Sequence, residues 1–139
     1  MPFFVIHEHH ASHLHFDFRL EMDGVLKSWA IPKGPSLNPA DKRLAIMVED
    51  HPIDYGLFEG IIPEGHYGAG MVVIWDKGTY TLLSGGIAES KMEFILSGKK
   101  LKGAFVLFRL KGKDKEWLLI KKKDEYTDPA FKLKTVIAA

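Results

Sequence analysis

From residue 13 the chain alternates strictly, with His13, His15, Asp17 and Arg19 on one parity and Leu14, Phe16, Phe18 and Leu20 on the other. Successive side chains of a strand point to opposite faces. The pattern predicts a strand over 13–21 with one aliphatic and aromatic face and one face of groups that bind metals and phosphates. A short apolar run at 3–6 precedes it. Asp23-Gly24 is a hairpin signal, and 25–31 returns as the partner strand. Pro32-Lys33-Gly34-Pro35, with Pro39 beyond, removes backbone donors and fixes φ, so this segment is a loop. The strand predicted over 43–50 sets Arg43, Glu49 and His51 on one parity and Leu44, Ile46 and Val48 on the other.

Residues 51–70 read as a long loop carrying Asp54, Tyr55, Phe58, Glu59, Glu64, His66 and Tyr67. Loops of that length inside a compact domain are uncommon and are often functional. An apolar strand over 71–76, a turn at Lys77-Gly78 and a returning strand over 79–83 follow, and then one helical turn at 87–91. Strands over 91–97, 104–110 and 117–122 are separated by Gly98, Gly103 and Gly112, with Phe94, Phe105, Phe108 and Trp117 assigned to the core. Residues 124–139 have little periodicity and read as a tail. Eight or nine strands with glycine-rich turns and no long helix predict an antiparallel all-β sandwich or barrel. A barrel is favoured, because closure removes exposed edges and offers a concave face for polar residues.

Composition narrows the classes. The 139 residues are 46% hydrophobic and 27% charged, typical of one globular domain. No cysteine is present, which excludes disulfides and thiolate metal sites. No apolar run approaches the ~20 residues of a membrane span, and the histidine-rich start does not read as a signal peptide, so a cytoplasmic location is expected. A net charge of +1 announces no nucleic-acid partner by itself. The lysines around 99–102, 111–115 and 121–123 form, at most, a basic rim.

The polar row carries the chemistry. Same-face neighbours in a strand lie ~6.5–7 Å apart, which lets His15 and Asp17 converge on one ion in front of the strand. His9, before a bend at Ala11-Ser12, supplies a third ligand. Two imidazoles and a carboxylate suit Mn, Zn or Fe. The plainer alternative is the wet face of an amphipathic strand, but such faces more often carry Lys, Thr, Glu and Ser. Arg19 offers a planar donor fork for phosphate oxygens, or else a salt bridge to Asp17 or Glu21. Arg43, Glu49 and His51 form a second row, in which Glu49 orients a ligating histidine through its second ring nitrogen. Lys33, Tyr55 and Tyr67 are further phosphate contacts or plain loop residues.

Several runs together resemble one family. They are His9-His10-Ala11-Ser12-His13-Leu14-His15-Phe16-Asp17-Phe18-Arg19-Leu20-Glu21, Trp29-Ala30-Ile31-Pro32-Lys33-Gly34-Pro35 and Val48-Glu49-Asp50-His51-Pro52-Ile53-Asp54-Tyr55. To these are added Phe58-Glu59-Gly60-Ile61-Ile62-Pro63-Glu64-Gly65-His66-Tyr67-Gly68-Ala69-Gly70 and Trp117-Leu118-Leu119-Ile120-Lys121-Lys122. They resemble the 3′-phosphoesterase domain of bacterial DNA ligase D and its free-standing archaeal and bacterial relatives, over a motif-bearing core of about 4–126, leaving 127–139 as tail.

The resemblance implies a single compact antiparallel β-barrel of about eight strands with a crescent-shaped polar groove. It implies an Mn-dependent enzyme that removes a 3′-terminal ribonucleoside from a DNA primer strand and then hydrolyses the remaining 3′-phosphate to a hydroxyl. Zn or another divalent transition metal fits the same ligands. By position, His9, His15 and Asp17 match metal ligands; Arg19, His51 and Tyr55 match the groups on the scissile phosphate; Lys33, Arg43 and Glu49 match further active-site residues. Expected partners are a primer-template with a 3′-ribonucleotide or 3′-phosphate end and a ligase, polymerase and Ku repair assembly, with the chain itself a monomer. Longer relatives carry an N-terminal segment that helps the phosphomonoesterase step, whereas this chain starts almost at the first motif. His7 stands where many relatives have glutamine and is a competitor for the metal. Two rival readings fit the residues without the resemblance. One is a cupin-like non-haem iron oxygenase using His15, Asp17 and His51 or His66. The other is a non-catalytic barrel that grips a nucleic-acid end.

Overall fold

Strands that alternate apolar and polar must bury one face, and here they do so by closing a ring. The computed structural model describes residues 1–137. Its strands are β1 (Phe3–His10), β2 (Leu14–Met22), β3 (Val25–Ile31), β4 (Arg43–His51), β5 (Gly60–Ile62), β6 (Gly70–Gly86), β7 (Lys91–Ser97), β8 (Lys102–Arg109) and β9 (Glu116–Lys121). Pairing runs β1-β2-β3-β4-β9-β8-β7-β6, and β6 pairs back onto β1, so the ring is closed and antiparallel. The short β5 adds onto the N-terminal part of β6. No helix of the described residues is long and apolar enough to cross a membrane.

The interior is filled from alternate positions. Phe4 and Ile6 of β1, Phe16, Phe18 and Leu20 of β2, Trp29 and Ile31 of β3, and Ala45 of β4 meet Phe94, Phe105, Leu107, Trp117 and Leu119 from the far wall. Phe108 has the opposite parity to Phe105 and Leu107 and is only half-buried, outside that core. The row His15, Asp17, Arg19 therefore lies on the outer wall of the barrel, not on an inner concave face. The β2–β3 hairpin turns where expected, with Asp23 and Gly24 both at positive φ (55° and 79°), the backbone a two-residue type I′ turn requires.

Three expectations change. β6 runs unbroken for 17 residues, so Lys77-Gly78 is no turn. Gly78 is there for closeness: a Cβ on it would fall 2.0 Å from the Ser97 carbonyl oxygen of β7. At 87–90 the chain makes a tight turn closed by Ser90 N–H donating to Ile87 O at 2.9 Å, rather than a helical segment. In β4 the parity is the reverse of that expected, since Ala45 is buried and Leu44 is 40% exposed. A bulge then intervenes: Ser28 and Leu26 of β3 pair with Val48 and His51, so β4 has one residue extra and His51 swings to the face of Val48.

The last residues close one end of the barrel. Trp75 Nε1–H donates to Lys134 O at 2.7 Å, and Phe131 and Leu133 pack on the core. The backbone N–H groups of Val136 and Ile137 donate to the buried Glu8 carboxylate at 2.6 and 3.0 Å. The expected tail therefore packs as far as it is described; residues 138–139 lie outside the described residues.

Candidate active site

Register brings the outer-wall residues together. His9 of β1 faces His15 of β2, His7 faces Asp17, and Arg19 faces Ser28 of β3. An outer wall is ordinarily wet, yet Asp17, Arg19 and His9 are only 6%, 3% and 7% exposed and His7 is fully buried. The cover comes from the segment after β4. A 3-10 helix (Ile53–Leu57) carries Tyr55 against His7 and His51, with ring centroids 5.4 and 4.9 Å apart. Phe58 stacks on Tyr55 at 5.1 Å, and Gly68 lies over His9.

The hydrogen bonds of the two ring systems decide what His9, His15 and Asp17 can hold. A carbonyl only accepts, so His9 donates Nε2–H to Gly68 O at 2.6 Å and leaves Nδ1 bare. In the same way His15 donates Nδ1–H to His13 O at 3.1 Å and leaves Nε2 bare. Both bare nitrogens point at Asp17 Oδ2, from 3.5 and 3.4 Å. The three ligand atoms lie within 4.8 Å of one another, and they are the metal-capable group of His, Asp and Glu found among the described residues. Two lone pairs and a carboxylate facing one point, each fixed from behind by a backbone carbonyl or a charge, are the donor set of a divalent transition metal. The residues fit the group. Neither His51 nor His66 belongs to it, and His66 is exposed, so the ligand set of the oxygenase reading is not assembled.

Beside the trio sits one guanidinium held on every side. Arg19 donates from Nε to His7 Nδ1 at 3.0 Å and from Nη1 to Ser28 Oγ at 2.9 Å, and Nη2 lies 3.4 Å from Asp17 Oδ2. Its Cζ is 5.0 Å from the centre of the Tyr55 ring. His7 in turn donates Nε2–H to Phe58 O at 3.1 Å. With Nδ1 accepting and Nε2 donating, His7 is neutral and bound to Arg19 and stands outside the converging ligand atoms, contrary to its expected role as a competitor for the metal. His51 Nδ1 lies 3.2 Å from Arg19 Nη1 and 2.9 Å from Glu49 O.

The charges follow from this packing. Burial alone would push Asp17 up, but the two imidazoles, which donate to it whenever their facing nitrogens carry a proton, and the charge of Arg19 hold it well below the usual carboxylate range. Burial, with Arg19 adjacent, lowers His7 to about 4. The same two causes lower His51, and burial raises Tyr55. His7 and His51 are thus kept neutral beside Arg19, whereas the hydrogen bond to Asp17 raises His15, so that a divalent ion binding there would displace a proton.

All of this opens into one cavity of about 650 Å³. Its walls include His9, His13, His15, Asp17, Arg19, Glu49, His51 and Tyr55. Glu49 is exposed there and meets His51 through its backbone oxygen; its carboxylate makes no bond to a ligating histidine among the described contacts. Lys33 is exposed in the loop beyond Pro32, which lines the cavity where Lys33 does not. Arg43 is not brought here, because the bulge in β4 separates it from His51. Its Nη2 lies 3.5 Å from Asp41, and its Nε is buried without a partner. Reading the residues singly missed Ser28, the carbonyls of Phe58 and Gly68, and the service of His7 to Arg19. Only His7 left a trace in the sequence, by sharing the parity of His9 on the first strand.

Comparison with known proteins agrees with this geometry. Residues 7–109 match the family described as the DNA Ligase D 3′-phosphoesterase domain. The multifunctional non-homologous end joining protein LigD of Pseudomonas aeruginosa is 55% identical over 126 residues, 87% of this chain and 15% of that protein. Its counterpart in Mycobacterium bovis is 46% identical over 130 residues, 92% of this chain and 17% of that protein. In Mycolicibacterium smegmatis it is 47% identical over 131 residues, 88% and 17%. The chain thus spans about a sixth of the length of these relatives. With the family match running from the first metal-bearing strand through β8, this chain belongs to the DNA ligase D 3′-phosphoesterase domain family.

Proposed function

We propose that this chain is a metal-dependent phosphoesterase that processes DNA 3′ ends during repair by end joining. It removes a 3′-terminal ribonucleoside to leave a 3′-phosphate and then hydrolyses that phosphate to a 3′-hydroxyl. The observation that carries the reading is the convergence of the His9, His15 and Asp17 ligand atoms beside the buried fork of Arg19 in one cavity. The proposed cofactor is Mn2+, with Zn2+ or another divalent transition metal suiting the same donors.

A metal held by His9 Nδ1, His15 Nε2 and Asp17 Oδ2 supplies Lewis-acid polarisation of a phosphoryl oxygen. The protein's own groups do the rest. Arg19 neutralises a second non-bridging oxygen, and its locked geometry means that no reorganisation is needed as charge builds. Tyr55 holds its proton, because burial raises it, and so donates a hydrogen bond to the phosphate. His51 is neutral before an anion arrives, so it does not wait as an imidazolium; the incoming phosphate charge favours its protonation beside the leaving oxygen. Glu49 lines the cavity, while Lys33 and Arg43 lie outside its walls.

The proposed substrate is a primer-template ending in a ribonucleotide or a 3′-phosphate, and the proposed setting is a cytoplasmic ligase, polymerase and Ku assembly, in keeping with relatives named for non-homologous end joining. A labelled duplex primer ending in one ribonucleotide, incubated with Mn2+, is expected to yield 3′-phosphate and then 3′-hydroxyl products, and a chelator to stop both. Products that persist after chelation would overturn the metal role. Tight binding without any product would leave a nucleic-acid-binding barrel in its place.

A further inference from the structure

Five residues of the cavity wall, Leu14, Pro32, Val48, Ile62 and Tyr67, serve neither the metal nor the phosphate. Tyr67 is 96% exposed, the most of the large hydrophobic side chains described. A lone exposed tyrosine is unremarkable, but this one is mounted. Its loop is braced by His66 N–H donating to Pro63 O at 3.3 Å and Ala69 N–H to His66 O at 3.2 Å. Gly65, Gly68 and Gly70 take positive φ (86°, 76° and 134°). Gly68, the next residue, accepts Nε2–H from His9 at 2.6 Å. The tyrosine is thus one residue from a carbonyl that fixes a metal-ligand histidine, and its position is tied to that of the reacting phosphate.

We propose that Tyr67 is a stacking platform for the nucleobase of the terminal nucleoside, taken unpaired into the cavity. The inference rests on the phosphoesterase reading and names which part of the substrate the remaining wall receives. The mixed wall argues for that occupant: the metal ligands and Arg19 suit a phosphate, and the aliphatic and aromatic side chains lining the same cavity suit a base attached to it. Every base has a π face, so the platform serves all four without reading sequence. A base inside a duplex is covered by its stack, so the end must open by one nucleotide before it is processed.

The test compares two primers with Mn2+, one ending in an ordinary ribonucleotide and one ending in an abasic ribose. The wild-type protein is expected to prefer the base-bearing end in kcat/KM. Tyr67→Ala should erase most of that preference, a change of roughly tenfold or more for one stacked base, and Tyr67→Phe should restore it. The side chain is exposed, so the melting temperature should not move. A preference that survives Tyr67→Ala, an equal loss on both primers, or a Phe variant as poor as Ala would each overturn the platform. A wild-type protein inactive on both primers would instead overturn the phosphoesterase reading on which it stands.

Discussion

Arg19 gives its Nε–H to Nδ1 of His7, 3.0 Å away and sealed from solvent. Guanidinium to imidazole is an uncommon pairing, and it works because His7 places its single ring proton on Nε2, donating it to Phe58 O and leaving Nδ1 to accept. The bond fixes the plane of the fork that faces the cavity, and it ties the cover segment to the wall beneath. Replacing His7 with Ala leaves Nε–H buried without an acceptor. A bond to a charged group contributes about 1.5–3 kcal/mol, so kcat/KM is expected to fall roughly ten- to hundredfold. His7→Gln offers an amide oxygen to Arg19 and an amide N–H to Phe58, and should recover most of the loss. Steady-state kinetics of both variants, with thermal melts beside them, checks this. A Gln variant no better than Ala would show that the bond does not act through geometry.

Metal occupancy should depend on all three converging atoms. Asp17→Asn removes the charge that both bare ring nitrogens face, and it also frees Nη2 of Arg19. His15→Ala removes one ligand and leaves Asp17 bonded to Arg19. Both variants are expected to lose Mn2+ binding in calorimetry or electron paramagnetic resonance, and to lose both hydrolytic steps. The wild-type protein stripped by chelation should match them and recover when metal is returned. Full activity in either variant without added metal would sink the assignment.

What could be read in the chain was what is local. The parity of 13–21 and the Asp23-Gly24 turn are properties of neighbouring residues, and both appear as expected. The resemblance to a known family added roles that parity alone does not give. The errors share another cause. Gly78 is a glycine because a neighbouring strand passes close to it, and along the chain that cannot be told from a turn glycine. The bulge in β4 adds one residue, which is enough to send Arg43 and His51 to different faces of the wall. The acceptors behind His9 and Arg19 come from residues 59 and 12 positions away, so the polarity of the metal site is a tertiary fact.

Tyr80 is a marker for the closed barrel. Its hydroxyl donates to Glu21 O at 2.6 Å, and burial, together with the charges of Glu21 and Asp23, pushes its pKa up to about 12. An unfolded tyrosine ionises near 10. The fold therefore favours the neutral phenol: the stability it contributes is fully present below about pH 10 and is lost as pH rises through 12. An absorbance titration of the four tyrosines should show ionisation delayed at Tyr55 and Tyr80, with the component near pH 12 absent in Tyr80→Phe. A single step near pH 10 in the folded protein would contradict the burial of that hydroxyl.

Lys121 presents the opposite case, a charge that the fold has buried and must keep paired. Its ammonium has no exposure and donates to Asp124 Oδ1 at 2.6 Å and to Lys122 O at 2.7 Å. Asp124 also accepts N–H groups from Ala104 and Tyr126. Removing one partner of a fully buried pair costs about 3–5 kcal/mol, whereas an apolar side chain of similar volume in place of the charge is often neutral. Asp124 is itself exposed, so water reaches the ammonium once the carboxylate is gone, and Lys122 O still accepts from it; Asp124→Ala is therefore expected to destabilise by only about 1–2 kcal/mol in urea titration. Lys121→Met should change stability little. The decisive variant is the double one: with no ammonium left to strand, Asp124→Ala in the Lys121→Met background should cost much less than it does alone. Equal costs in both backgrounds would place the loss in the two backbone N–H groups rather than in the ion pair.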